Sequence, residues 1–137
     1  MRRARRNAKR QGEVAELAFM HKAASLGFGV AKPYGDSFPY DFILDSGKKL
    51  WRVQVKSTNQ MFQGAYAINA QRRLGWGTCP YKAREVDIVA AYVVPLDCWY
   101  IVPLRAMRKK KSMRVYPHAA EKDGRYGRYK EAWKVME

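Results

Sequence analysis

Three observations make this sequence an α/β domain. Residues 51–56, Trp-Arg-Val-Gln-Val-Lys, alternate apolar and polar side chains with the period of two of a half-buried strand. Residues 12–26 carry apolar side chains at helical spacing and stop at Gly27. Residues 87–94 and 98–102 are apolar, rich in β-branched side chains and joined by Pro95-Leu96-Asp97, the pattern of a buried hairpin. The 137 residues suffice for one domain with a real core, and no repeat or linker divides residues 1–137.

Charge narrows the function. The formal net charge of +15 exceeds what solubility needs and implies a polyanionic partner, nucleic acid first and an anionic membrane surface second. Aromatics make up 13% of the residues, which argues for a packed fold and against a disordered basic tail. No apolar run approaches the ~20 residues of a membrane span, so no membrane association through a helix is expected. Cys79 and Cys98 have no CxxC or Cys/His companions, which disfavours zinc and predicts reduced thiols in a cytoplasmic protein. With DNA as partner, that places it on the nucleoid. The Arg-rich start contains no serine and runs into a helix, unlike an organelle transit peptide.

The elements follow in order. Residues 1–11 form a basic arm in which Arg2, Arg3, Arg5, Arg6, Lys9 and Arg10 are unopposed by any acid in the first ten positions. It is either a solvated charged terminus or a nucleic-acid contact. On the helix over 12–26, Ala15, Phe19, Ala23 and Leu26 line one side of a broad apolar arc and Leu17, Met20 and Ala24 the other. His21, Lys22 and Ser25 form the polar face. Glu16 falls in the middle of the arc. A carboxylate there needs a metal, a cation or a hydrogen-bond network, or else it snorkels to a surface salt bridge. Glu13, in the first turn, is favoured by the helix dipole. Residues 28–32 read as a first strand, and 33–39, with two prolines and a glycine, as a loop in which Asp36 forms a turn. Residues 40–44 are a second strand and 45–49 turn chemistry. After Thr58 come a connector, a strand over 65–69, an irregular Gly-rich stretch over 74–80 and a turn of helix over 81–85. Residues 105–114 return to basic character around Lys109, Lys110 and Lys111, and a closing helix over 129–136 docks through Trp133.

The strand at 51–56 decides the site. Its polar face presents Gln54 and Lys56 two residues apart. If 40–44 pairs with it as a hairpin, an even loop places Asp41 on that same face, whereas an odd loop would put the carboxylate among Val53 and Val55. The cost of burying an unpaired carboxylate favours the even loop. One face then carries two oxygen ligands for a hard cation and a positive charge beside them. Gln54-x-Lys56 by itself is a weak signal, since most strands with polar residues at alternate positions simply have a solvated face.

Gly12-x-x-x-Glu16, then Gly35-Asp36-x-x-x-Tyr40-Asp41, then Gln54-Val55-Lys56-Ser57-Thr58 resemble the PD-(D/E)XK nuclease superfamily. The resemblance is to the branch that includes group I intron homing endonucleases and lies near the archaeal Holliday-junction resolvases. It covers roughly residues 9–103. It implies a restriction-endonuclease-like core, a central mixed sheet flanked by helices. It implies that Asp41 binds the catalytic divalent ion, Mg²⁺ or Mn²⁺. Gln54 stands where most members have an acid and would bind through its amide oxygen. Lys56 would orient or deprotonate the attacking water, and Glu16 would complete the metal or water site. Tyr40 replaces the motif proline and Gln54 the motif acid, although the homing branch tolerates glutamine there.

The expected function is Mg²⁺-dependent endonucleolytic cleavage of double-stranded DNA. Residues 2–10, Arg72, Arg73 and 105–114 are expected to contact the backbone, and one site per chain implies a homodimer or tetramer. The rivals are a junction resolvase or repair nuclease, a catalytically inactive nucleic-acid-binding module of the same fold, and a basic ribosome-associated protein. Phosphodiester hydrolysis needs a Lewis acid, an activated water and neutralisation of the extra charge. Because Gln54 is neutral, metal binding without DNA should be weak.

Overall fold

The computed structural model of the chain describes residues 8–119 and 124–137. In chain order they form helix α1 (Ala8–Ser25) and strands β1 (Gly29–Ala31), β2 (Phe42–Asp45), β3 (Leu50–Thr58), β4 (Met61–Phe62), β5 (Ala65–Asn69), β6 (Gln71–Leu74), β7 (Gly77–Pro80), β8 (Ile88–Val93), β9 (Cys98–Pro103) and β10 (Ser112–Val115). Short 3-10 turns cover Val94–Leu96, Leu104–Met107, Gly124–Tyr129 and Trp133–Met136. Arg2, Arg3, Arg5 and Arg6 lie outside the described residues.

The central sheet runs β1-β2-β3-β8-β9. Only β3 and β8 pair in parallel, so the sheet is mixed, as expected. Every residue of β8 is buried, which explains its unbroken apolar run: both faces of the sheet are covered there. On one face Ala15, Phe19 and Ala23 of α1 meet Phe42, Val53, Ile88 and Trp99. On the other, Val89, Ala91, Tyr100 and Val102 lie under Tyr66, Ile68, Met113 and Val115. That second cover is a three-stranded sheet, β10-β5-β4, and not the second helix layer expected. α1 is the one α-helix among the described residues. β10 alternates buried and exposed residues and β5 nearly so, giving each an apolar side to lay on the core.

α1 begins at Ala8, so Lys9 and Arg10 belong to its first turn and not to an arm reaching residue 11. It ends as expected. Gly27, at φ +92°, lets its own N–H donate to the Ala24 carbonyl and the Phe28 N–H to the Ala23 carbonyl, closing the last turn. The buried stripe is narrower than the predicted arc: Leu17 is 61% exposed, and Ala24 and Leu26 also face solvent.

Three segments depart from the sequence reading. Residues 71–80, expected to be irregular from 74 onward, form the β6–β7 hairpin. Residues 112–115, inside the basic stretch, form β10, because Met113 and Val115 reach the core. The closing helix is interrupted: Glu131 takes φ +50° while its N–H donates to the Trp99 carbonyl, and only a 3-10 turn follows. Trp133 nevertheless docks, its ring 5.8 Å from Phe19 and 5.9 Å from Trp99. No helix among the described residues is long and apolar enough to cross a membrane. Cys79 and Cys98 form no disulfide.

Candidate active site

The β2–β3 hairpin sets the site. Its pairs run from Phe42↔Val53 to Asp45↔Leu50, leaving residues 46–49 as an even loop. The Ser46 N–H donates to the Lys49 carbonyl, and the Lys48 and Lys49 N–H groups donate to Ser46 Oγ. Gly47 supplies φ +84°. One step beyond Phe42, Asp41 therefore stands opposite Gln54, and its N–H donates to the Val53 carbonyl at 2.8 Å.

Asp41 Oδ2 accepts two hydrogen bonds, from Gln54 Nε2 and from the Val55 N–H, both at 2.8 Å. Gln54 Nε2 also donates to the Val55 carbonyl at 3.3 Å. Two acceptors around the nitrogen fix the orientation of the amide and leave its oxygen on the other side. Gln54 is only 9% exposed, on a strand that β5 packs against, so the face is not the solvated one that a lone half-buried strand would have. Lys56 Nζ stands 5.5 Å from the centre of the Tyr81 ring.

Burial pushes the Asp41 carboxyl above its ordinary value. The Val55 N–H opposes that shift, the Glu16 charge adds to it, and Lys56 and Lys32 pull it down. Burial likewise holds the Lys56 ammonium below its ordinary value, against the attraction of Asp41. Tyr81, pushed up to about 12 by burial first and the Asp41 charge second, is a neutral phenol at working pH.

Asp41, Gln54 and Lys56 thus gather on one face. Glu16 is within electrostatic reach of Asp41. It sits at the edge of the buried stripe, partly exposed, with Oε1 accepting from Lys32 Nζ at 2.7 Å. Sequence reasoning missed Lys32 and Tyr81. Lys32 ends the predicted first strand with nothing to mark its direction. Tyr81 lies in a turn whose partner is more than twenty residues earlier.

Neighbouring contacts hold the frame. The Arg52 backbone N–H and Nε donate to Asp87 Oδ2 at 2.9 and 3.1 Å, and Nη2 donates to Oδ1 at 2.9 Å. The same guanidinium reaches the Ala83 and Arg84 carbonyls, tying the chain around Tyr81 to β3. Gln11 Nε2 donates to Ser57 Oγ at 3.2 Å, which brings the basic first turns of α1, with Lys9 and Arg10, to the outgoing end of β3. Lys109, Lys110, Lys111 and Arg73 are exposed. Arg72 is tied to Glu85 at 2.9 Å and so is partly neutralised within the chain. A recess of about 610 Å³ opens beside Tyr81, with Lys82, Arg105, Arg108 and Lys109 around it.

Among the described residues no three His, Cys, Asp or Glu side chains cluster as a ready metal site. The donor atoms nonetheless suit a hard cation. Both bonds to Asp41 end on Oδ2, leaving Oδ1, and the committed Gln54 nitrogen leaves its amide oxygen.

A family model described as PD-(D/E)XK endonuclease matches residues 6–136. The chain belongs to the PD-(D/E)XK endonuclease family. A solved structure, the bacterial homing endonuclease I-Ssp6803I, superposes with a TM-score of 0.81 at 29% identity, covering 93% of this chain and 91% of that one. No curated protein matches the chain. Within the PD-(D/E)XK frame the protein is a nuclease of the endonuclease type, with the mixed sheet that its sequence predicted. In this chain the Gln54 amide donates to the Asp41 carboxylate, which a second acid at that position would repel in the absence of a cation.

Proposed function

We propose that this protein is a Mg²⁺-dependent endonuclease for double-stranded DNA, of the homing type, built as one nuclease domain over residues 1–137 with Asp41, Gln54, Lys56 and Glu16 at its centre. The observation that carries the reading is the Asp41–Gln54 bond across β2 and β3, beside a desolvated Lys56. Asp41 and Gln54 would hold the divalent ion, Mg²⁺ or Mn²⁺, through the oxygens their internal bonds leave, with Glu16 released from Lys32. When bound, the ion supplies Lewis-acid polarisation of the phosphate. Lys56 would set its ammonium against the negative charge that builds on the phosphorane oxygens. Its lowered proton affinity also lets it take a proton from the attacking water. Lys9, Arg10, Arg73 and Lys109–Lys111 would fix the duplex by its phosphates, with the arm from Arg2 to Arg6 adding to them. Arg72 contributes less, being tied to Glu85. A double-strand cut then takes two chains or more, a dimer or tetramer acting at the nucleoid.

The test is cleavage of supercoiled plasmid and of linear, nicked and four-way DNA in Mg²⁺, Mn²⁺ and EDTA, with Asp41→Asn alongside. Metal-dependent cutting of duplex by wild type alone supports the reading. Cutting of four-way DNA alone would make it a resolvase. Binding without cutting of any substrate would make it a binding module.

Asp41→Asn separates chemistry from stability. The folded carboxyl holds its proton above the ordinary value of 3.8, so the unfolded chain ionises first, and stability falls as pH rises from about 4 through the folded value. The asparagine oxygen can accept the same two bonds with no charge to desolvate. The variant is expected to lose cleavage and to melt at pH 7 no lower than wild type, with a flatter melting profile above pH 4. Thermal melts across pH 3–8 check both signs.

Gln54→Glu is expected to do the reverse. It replaces the donor at 2.8 Å by a second carboxylate. Without divalent cations the melting temperature should fall by about 3–6 °C. Saturating Mg²⁺ or Mn²⁺ should restore it, with tighter metal binding by calorimetry than wild type.

A further inference from the structure

The β6–β7 hairpin carries a side chain that the fold does not use. Its pairs run from Gln71↔Pro80 to Leu74↔Gly77, leaving Gly75 and Trp76 at the tip. Trp76 is 81% exposed, while Trp99 and Trp133 are buried. A tryptophan offers about 150–250 Å² of surface for burial, and here the fold leaves most of it in water.

The surroundings say what kind of partner it meets. No Asp or Glu occurs between Asp45 and Glu85. Arg73 is exposed next to the tip. Lys111 Nζ reaches Thr78 Oγ1 at 3.5 Å, which puts the lysine run beside the hairpin. A second copy of this chain would bring its own net charge of +15 against this surface. A polyanion with stacked aromatic rings matches it in both charge and shape.

The hairpin is also anchored at the active site. Its last residue, Pro80, precedes Tyr81, whose ring faces Lys56. Arg72 is held by Glu85, and the Ala70 N–H donates to the Lys111 carbonyl at 2.8 Å. From Tyr81 to Gly77 is four residues of extended chain, about 13 Å at the rise of a strand. At about 3.4 Å per step of duplex that is about four base pairs.

We propose that Trp76 is a wedge that enters the base stack of bound DNA about four base pairs from the phosphate at Lys56, unstacking one step and bending the duplex. Specificity then includes the deformability of that step, which the protein reads without hydrogen-bonding its bases. This rests on the DNA-endonuclease reading above.

A wedge prefers DNA whose stack is already open. The test compares, by fluorescence anisotropy with Ca²⁺ in place of Mg²⁺, a 30-base-pair duplex and the same duplex with one central abasic site. Wild type is expected to bind the abasic duplex at least fivefold more tightly. Trp76→Ala should bind both alike, and Trp76→Phe should keep the preference. In parallel, 2-aminopurine scanned through a cleavable duplex should brighten with wild type at one step about four base pairs from the cut, which makes the test independent of how the variants fold. Equal binding of the two duplexes by wild type, a preference that survives in Trp76→Ala, or no brightening at any step would overturn the wedge. So would loss of an oligomer in Trp76→Ala without DNA, which would make the tip a contact between copies. If wild type nicks plasmid yet shows no preference, only the wedge falls. If it neither binds nor nicks DNA, the endonuclease reading falls with it.

Discussion

Lys56→Ala is expected to cut plasmid about 10³-fold more slowly than wild type, the loss that follows removal of one preorganised group aimed at developing charge. The side chain sits beside Asp41 and above Tyr81, where little water screens it. Its affinity for DNA in Ca²⁺ should hardly change, since it is one of 27 Lys and Arg. That split separates an enzyme from a binding module, in which the substitution would move neither quantity. The fold should persist. Burial holds the ammonium below 10.5, so the folded state gives up its proton before the unfolded state does, and stability rises with pH as it titrates toward 10.5. A charge buried at that cost is no loss to stability when removed. The pH profile adds a second check. The rate of residual cutting should still climb through the ionisation of Asp41, above 3.8, while the further rise toward alkaline pH that Lys56 deprotonation supplies should vanish. Lys56→Arg should not rescue, because a guanidinium neither loses its proton nor fits the space of an ammonium.

Phe19→Ala is expected to cost about 3–5 kcal/mol of stability, the range for deleting a fully buried aromatic ring. Phe19 is completely buried and meets three rings, Phe42 at 5.2 Å, Trp99 at 5.7 Å and Trp133 at 5.8 Å. Against a total of about 5–15 kcal/mol this removes a large share. The melting midpoint should fall by about 10 °C or more. Since Phe19 seats α1 on the sheet, and α1 carries Glu16 and Gln11, the variant should also lose activity below its melting range. Val14→Ala, on the exposed side of the same helix, is the control: its melting midpoint should stay within about 2 °C of wild type. An equal loss in both variants would overturn the ring cluster as the source of the stability, since alanine raises helix propensity at both positions.

The hairpin that carries the site was legible because two simple rules agree. Alternation fixed the face of Gln54 and Lys56, and the cost of a buried carboxylate chose the even loop, which the register bears out. The β8–β9 hairpin was legible from its apolar runs. The β6–β7 hairpin was not, since Gln71, Arg72 and Arg73 show no alternation and its pairing is set by the turn at Gly75–Gly77. The second sheet was missed as a layer because β10 lies in a stretch read by its charge, with only Met113 and Val115 turned inward. Glu16 was read as an acid in the middle of an apolar arc, but that arc counted Leu17, which the fold leaves in water. The partner of Glu16 is Lys32, sixteen residues on, a pairing that no local pattern contains.

The parallel pair of β3 with β8 has a consequence for when the protein can act. Gln54 aligns with Val89, thirty-five residues later, and β8 is itself held by β9, which ends at Pro103. The helix bearing Glu16 is wedged by Trp133, far along the chain from it. A ribosome must therefore release the chain past Trp133 before strand, helix and the turn at Trp133 can close on one another. A chain cut short before β8 would have the β2–β3 hairpin without the strand that pairs with β3. Assembly of the full sheet behind the Asp41–Gln54 pair thus waits on strands made well after it, a delay written into the topology.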